Sequence, residues 1–139
     1  MTIQMVLLPV FVQVALTFAL LFWMGSARRA SLTRGEAKVR DIALGQPAWP
    51  VGVQQISNSY DNQFQIPLLF YVLVIFAWLT KFTDLLFVVM AWLFVLSRFA
   101  HAFIHTSSNH VPTRFSAFVA GVIILLLMWI IFAIRILII

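Results

Sequence analysis

Apolar residues along this chain gather into four blocks, 5–24, 66–80, 85–104 and 115–139, separated by polar segments. A helix crossing the hydrocarbon core of a bilayer needs about 20 predominantly apolar residues. Three blocks meet that length. The second is short, and reaches it if its helix starts near Tyr60 and takes in the polar turn 61–65. Lipid offers backbone groups no hydrogen-bonding partner, so such unbroken runs predict helices. The pattern predicts an all-α integral membrane four-helix bundle with up-down-up-down topology. It forms a single domain over 1–139, with spans over about 5–24, 60–80, 84–105 and 114–138.

The connections differ in kind. Residues 25–59 turn polar and carry Gly25, Gly35, Gly45, Pro47, Pro50 and Gly52, which reads as the one long loop. Within it, residues 36–44 predict a short interfacial helix ending near Gly45, with Trp49 anchoring at headgroup level. The second and third spans are separated by little more than residues 80–84, so they form an antiparallel hairpin. Pro112 is placed to open the fourth helix inside its first turn.

Composition agrees with a membrane protein: 63% hydrophobic and 9% charged residues, with a mean hydropathy of +1.05. The first block lacks a basic leader and a small-residue cleavage site, so it is expected to stay as the first span. The absence of cysteine excludes disulfides, thiolate metal sites and a protein thiol nucleophile. Any thiol chemistry uses a ligand's thiol. The net charge of +5 is unevenly placed. Arg28, Arg29, Arg34, Lys38 and Arg40 follow the first span and Arg114 opens the fourth, whereas Lys81 and Arg135 fall towards the other side. The positive-inside rule then puts the long basic loop in the cytoplasm and both termini on the opposite side. Attraction to anionic membrane lipid accounts for most of these charges, and no nucleic-acid partner is expected.

Two polar faces interrupt the apolar pattern. Arg98, His101 and His105 are spaced by three and four residues, so a helix carries all three on one face. Asn58, Asn62 and Gln65 repeat that spacing at the start of the second span. Under the topology above, both faces and Arg114 lie at one depth, describing a polar pocket suited to an anionic, multiply hydrogen-bonding ligand. Ionisable groups at membrane depth are costly and mark functional sites by default.

The order of four spans, the Asn62-x-x-Gln65 turn before Pro67, and Arg98-x-x-His101 followed by Arg114 resemble the MAPEG family, the membrane-associated proteins in eicosanoid and glutathione metabolism. The resemblance covers essentially the whole chain and is closest to the bacterial branch, in the motifs at 62–71 and 97–105. It implies a homotrimer in the bacterial inner membrane with glutathione as cosubstrate, and a transferase or peroxidase reaction on a lipophilic small molecule. Arg114 stands at the position of the arginine that activates the glutathione thiol. Arg28 matches an arginine that contacts the glutathione carboxylate, and Asn62 matches the asparagine of the family's Asn-x-x-Glu turn. Gln65 replaces that glutamate, Asn58 replaces an arginine and His105 replaces a tyrosine. Phe118 lies close to another tyrosine position.

Structural readings stand beside these. Arg98 pairs with Asp61 or with helix-end carbonyls to fix the bundle, and His101 is a hydrogen-bonded packing residue. His105 is either a ligand contact or a solvated helix-end histidine. Arg114 snorkels to a lipid phosphate. The pair His101 and His105, with His110 nearby, has metal-ligand spacing, but no carboxylate at matching spacing completes the set, and no metal site is expected. A non-enzymatic protein that binds a lipid or an amphipathic anion, or supports a partner protein, is the alternative function.

Overall fold

The computed structural model describes residues 1–45 and 48–138. Pro47 and Ile139, used in the sequence reading, lie outside the described residues. Among the described residues six helices follow in order: α1 (Ile3–Thr33), α2 (Val39–Ile42), α3 (Val51–Asn62), α4 (Ile66–Leu79), α5 (Leu85–Thr106) and α6 (Val111–Ile138). With α3 and α4 taken as one interrupted span, four helical stretches among the described residues are long and apolar enough to cross a membrane.

The segment read as a loop over 25–59 is shorter than expected. Helix α1 runs on to Thr33, well past 24, and α3 begins at Val51 rather than near 60. The reason is physical. Gly25 sits between Met24 and Ser26-Ala27, and an isolated glycine costs a helix only about 1 kcal/mol. The breaks fall instead at Gly35 and Gly45, whose φ angles of 74° and 78° lie in the left-handed region. The interfacial helix expected over 36–44 shrinks to the single turn of α2.

The polar turn 61–65 likewise does not lie inside a continuous helix. Pro67 occupies the first turn of α4, has no N–H and would clash with the carbonyl four residues back, at Gln63. The chain meets this with tight i to i−3 bonds: Gln63 N–H to the Tyr60 carbonyl, Phe64 N–H to Asp61 and Gln65 N–H to Asn62. The corner turns residues 62, 63 and 65 towards different neighbours.

Helix α5 starts at Leu85 and α6 at Val111, three residues before the expected 114. Asp84 caps α5 by accepting from the Phe87 N–H at 3.0 Å. Pro112 follows Val111 in the first turn of α6. Helix α5 is the hub, packing on α6, α1 and α3, while α4 packs on α1 and α6. Its contact with α4 is made by side chains, with the rings of Phe70 and Phe94 stacked at 4.8 Å. Such a pair adds about 0.5–1.5 kcal/mol beyond its buried area. Around it Leu73, Val74, Ala91 and Val95 close a core at mid-bundle. Between helices in lipid this packing, together with interhelical hydrogen bonds, replaces the hydrophobic effect as the cohesive force.

Candidate functional site

Where α3 ends, α5 ends and α6 begins, a cleft of about 490 Å³ opens. Asn58, Asp61, Asn62 and Gln65 form one wall; His101 and His105 form the second, and Arg114 and Phe118 the third. Helical spacing on α5 and α6, together with the corner after α3, delivers all of these to one end of the bundle.

Behind the wall lies Arg98, fully buried. Its Nη2 donates to the carboxamide oxygen of Asn62 and lies 3.2 Å from His101 Nδ1. A guanidinium has only donors, so Nδ1 accepts and His101 carries its proton on Nε2. The guanidinium carbon stands 5.6 Å from the centroid of the Phe118 ring. Room for it comes from Gly121, where a Cβ would meet Ser97 Oγ at 2.7 Å and Arg98 Nη1 at 3.5 Å.

The expected pairing of Arg98 with Asp61 is corrected. The guanidinium bonds Asn62 and His101, and among the described residues it makes no ion pair. Asp61 and Asn62 are neighbours in sequence but point about 100° apart on a helix. Asp61 is exposed on the cleft wall, and Asn62 is the residue turned inward. Asn62 in turn donates through Nδ2 to Gln65 Oε1 at 2.8 Å.

The two histidine rings meet edge to face at 5.3 Å. His105 is 8% exposed, and its Nδ1 is buried without a hydrogen-bond partner among the described residues. It is therefore not a solvated helix-end histidine. Gln55 of α3 donates to the His105 carbonyl at 3.3 Å, tying the two walls together. Arg114 is half-buried, and its Nη1 donates to Asn109 Oδ1 at 2.7 Å. Asn109 adopts a φ of 50°, a conformation that asparagine tolerates better than most residues.

The match to the MAPEG family model runs over residues 6–134, taking in all four spans and every wall of this cleft. The chain belongs to the MAPEG family. No curated protein and no solved structure matches it. In this MAPEG protein, Asn58, Asn62, Gln65, His101, His105 and Arg114 come together as the sequence reading grouped them.

Arg28 does not join them. It donates through Nη2 to Ser57 Oγ at 2.6 Å and lies over the Trp49 ring at 5.0 Å, outside the wall of the cleft. Trp49 thus serves as a platform for Arg28.

Sequence reasoning missed three participants. Asn109 steadies Arg114, and its only advance signal is an Asn near the end of a helix. Gln13 and Gln63 are a buried pair, 0% and 1% exposed, with Gln13 Nε2 donating to Gln63 Oε1 at 2.7 Å. Gln63 Nε2 also donates to the Ser59 carbonyl at 3.1 Å. A lone glutamine inside the first apolar block marked the position but not its partner.

Proposed function

We propose that this MAPEG membrane protein binds glutathione in the cleft and uses it, as a transferase or peroxidase, against lipophilic electrophiles at the cytoplasmic membrane interface. One observation carries the reading. Arg114, His101 and His105 line the same cleft as Asn62 and Gln65, so a cation and several hydrogen-bond donors converge where an anionic tripeptide would sit. Asp61, on that wall, is the carboxylate available to an ammonium group. Glutathione would supply the thiol that the chain lacks. Arg114 favours the thiolate by its positive charge, an attraction strengthened in a partly desolvated setting. An apolar groove of about 440 Å³ between α4 and α6, lined by Ile66, Leu69, Val122 and Trp129, begins one helical turn further along and suits a lipophilic reactant.

The basic residues around α2 and Arg114 support a cytoplasmic placement of this end in a bacterial inner membrane, with the termini opposite. Arg28, set apart from the cleft of its own chain, supports a homotrimer in which a neighbouring subunit presents it. A second reading rests on Gln65 and Phe118: a neutral amide stands where a carboxylate would meet the glutathione ammonium, and a phenyl ring offers no hydrogen bond. These favour a non-enzymatic protein that binds a lipid or amphipathic anion.

Calorimetry with glutathione on the detergent-solubilised protein separates the two. Binding, followed by turnover of a chlorodinitrobenzene-type electrophile or a lipid hydroperoxide that Arg114→Ala abolishes, is the expected result. No heat at millimolar glutathione would sink the enzyme reading, and binding without turnover would favour the second. A cysteine placed at the exposed Ala43 should be shielded from an impermeant reagent in intact cells; labelling there overturns the orientation.

A further inference from the structure

The chain has four acidic residues, and their positions leave Arg98 without a counter-charge. Glu36 pairs with Arg34, Asp41 lies beside Arg40 and Asp84 pairs with Arg135. Asp61 is exposed on the cleft wall and makes no ion pair among the described residues. Arg98 is fully buried, both Nε and Nη1 lack partners among the described residues, and its two polar contacts, Asn62 and His101, are neutral acceptors. A buried cation in this state is costly unless an anion stands nearby.

The cleft supplies a place for one. Asn62 and His101 separate Arg98 from it, and both face the cleft as well as the guanidinium. With Nδ1 accepting from Arg98, the His101 proton sits on Nε2, where it can be donated to a ligand. Gln65 Oε1 is engaged by Asn62 Nδ2, so this wall holds an uncharged amide at the point nearest the Asn62 relay.

We propose that the cleft carries an oxyanion, a carboxylate or phosphate, as the missing counter-charge of Arg98, so that ligand binding and folding stability are coupled through Asn62 and His101. The inference rests on the cleft being an anion site and adds that the anion is a structural requirement created by Gln65. The oxyanion comes from a lipid headgroup or from a soluble molecule; the chemistry is the same. A carboxylate at position 65 would take its place.

The test is thermal unfolding of the full-length protein, followed by tryptophan fluorescence. In nonionic detergent and Tris chloride, saturating inorganic phosphate should raise Tm by about 5 °C or more, or transfer from phosphatidylcholine to phosphatidylglycerol vesicles should do so. A response to phosphate assigns a soluble source, and a response to phosphatidylglycerol alone assigns the headgroup. Gln65→Glu should start from a higher Tm without anion and lose most of the response. Arg98→Met should lose the response too, and decides the matter if Gln65→Glu does not fold. Arg29→Gln, at an exposed site, should keep it, and Asp61→Asn should enlarge it. A Tm unmoved in both arms, or a response in Gln65→Glu and Arg98→Met as large as the parent's, overturns the proposal. Anion-dependent stability without glutathione binding leaves the proposal standing and removes the glutathione reading. Glutathione turnover with a flat Tm does the reverse.

Discussion

The buried guanidinium of Arg98 on α5 is held by the carboxamide oxygen of Asn62, at the last turn of α3. This bond fixes the corner between α3 and α4 to the middle of the bundle and sets the back wall of the cleft. Asn62→Leu removes an acceptor from a buried charge, and hydrogen bonds to charged groups contribute about 1.5–3 kcal/mol. The variant should lose about that much unfolding free energy and so unfold at lower denaturant concentration, whereas Asn62→Asp, which keeps the acceptor and adds a negative charge, should be at least as stable as the parent. Denaturant titration in detergent measures both.

The Gln13 and Gln63 pair locks α1 to the same corner. Gln13→Leu leaves Gln63 Oε1 buried without its donor, while Nε2 keeps its bond to the Ser59 carbonyl, and should cost about 1–3 kcal/mol. The double variant with Gln63→Leu should recover part of that loss. Interhelical polar pairs in membranes couple by about 0.6 kcal/mol on average, so a double-mutant cycle with no coupling would deny the contact an energetic role.

Gly121 is required by the seat of Arg98. Gly121→Val should destabilise by about 1–3 kcal/mol, the usual cost of overpacking, because its side chain meets Ser97 Oγ and the Arg98 stem. Gly121→Ala should be milder, and Ser97→Ala should relieve it, since the closest approach is to that hydroxyl.

Asn109 positions Arg114. Asn109→Gly keeps access to the positive φ while removing the side-chain acceptor, so stability should change little. If Arg114 promotes the thiolate of bound glutathione, the pH profile of thiolate formation, read by its ultraviolet absorbance, should move to higher pH in Asn109→Gly and further in Arg114→Ala. An unmoved profile in Asn109→Gly would show that Arg114 needs no such support.

At the opposite end, the hydrogen bond from Arg135 holds the Asp84 carboxyl below its ordinary range, assisted by the Phe87 N–H and opposed by slight burial. A carboxylate with a depressed folded-state pKa stabilises at pH values above its unfolded pKa, and that stability fades as pH falls through the folded value. Asp84 is largely exposed, so the ion pair contributes only about 0.2–1 kcal/mol. Arg135→Gln should therefore lower Tm slightly at neutral pH and flatten its acid dependence below about pH 4.

Four apolar blocks and two faces at helical spacing sufficed to find four spans and to group Asn58, Asn62, Gln65, His101, His105 and Arg114, though not to set Arg28 apart from them. The ends of α1 and α3 were not legible, because hydropathy reports the bilayer and falls silent where a helix continues beyond the apolar blocks. Neighbours on a helix differ by about 100°, and only the packing of α3 against α5 decides that Asn62, not Asp61, meets Arg98. The Gln13 partnership is a contact between distant segments, which no local pattern encodes.

The pairing of α5 with α6 behaves as a graduated scale. Asp84 beside Arg135, Arg98 against Gly121 and His101 against Phe118 fall at matching steps, counted in opposite directions along the two helices. The same count carries on to His105 and Arg114 in the cleft. Inserting a single residue in α6 between Gly121 and Arg135 would swing everything beyond it by about 100°. The two helices must then choose between keeping the clasp at one end and keeping the cleft at the other. A salt link at the far end of the two helices is thus the zero mark from which the alignment of the site is read.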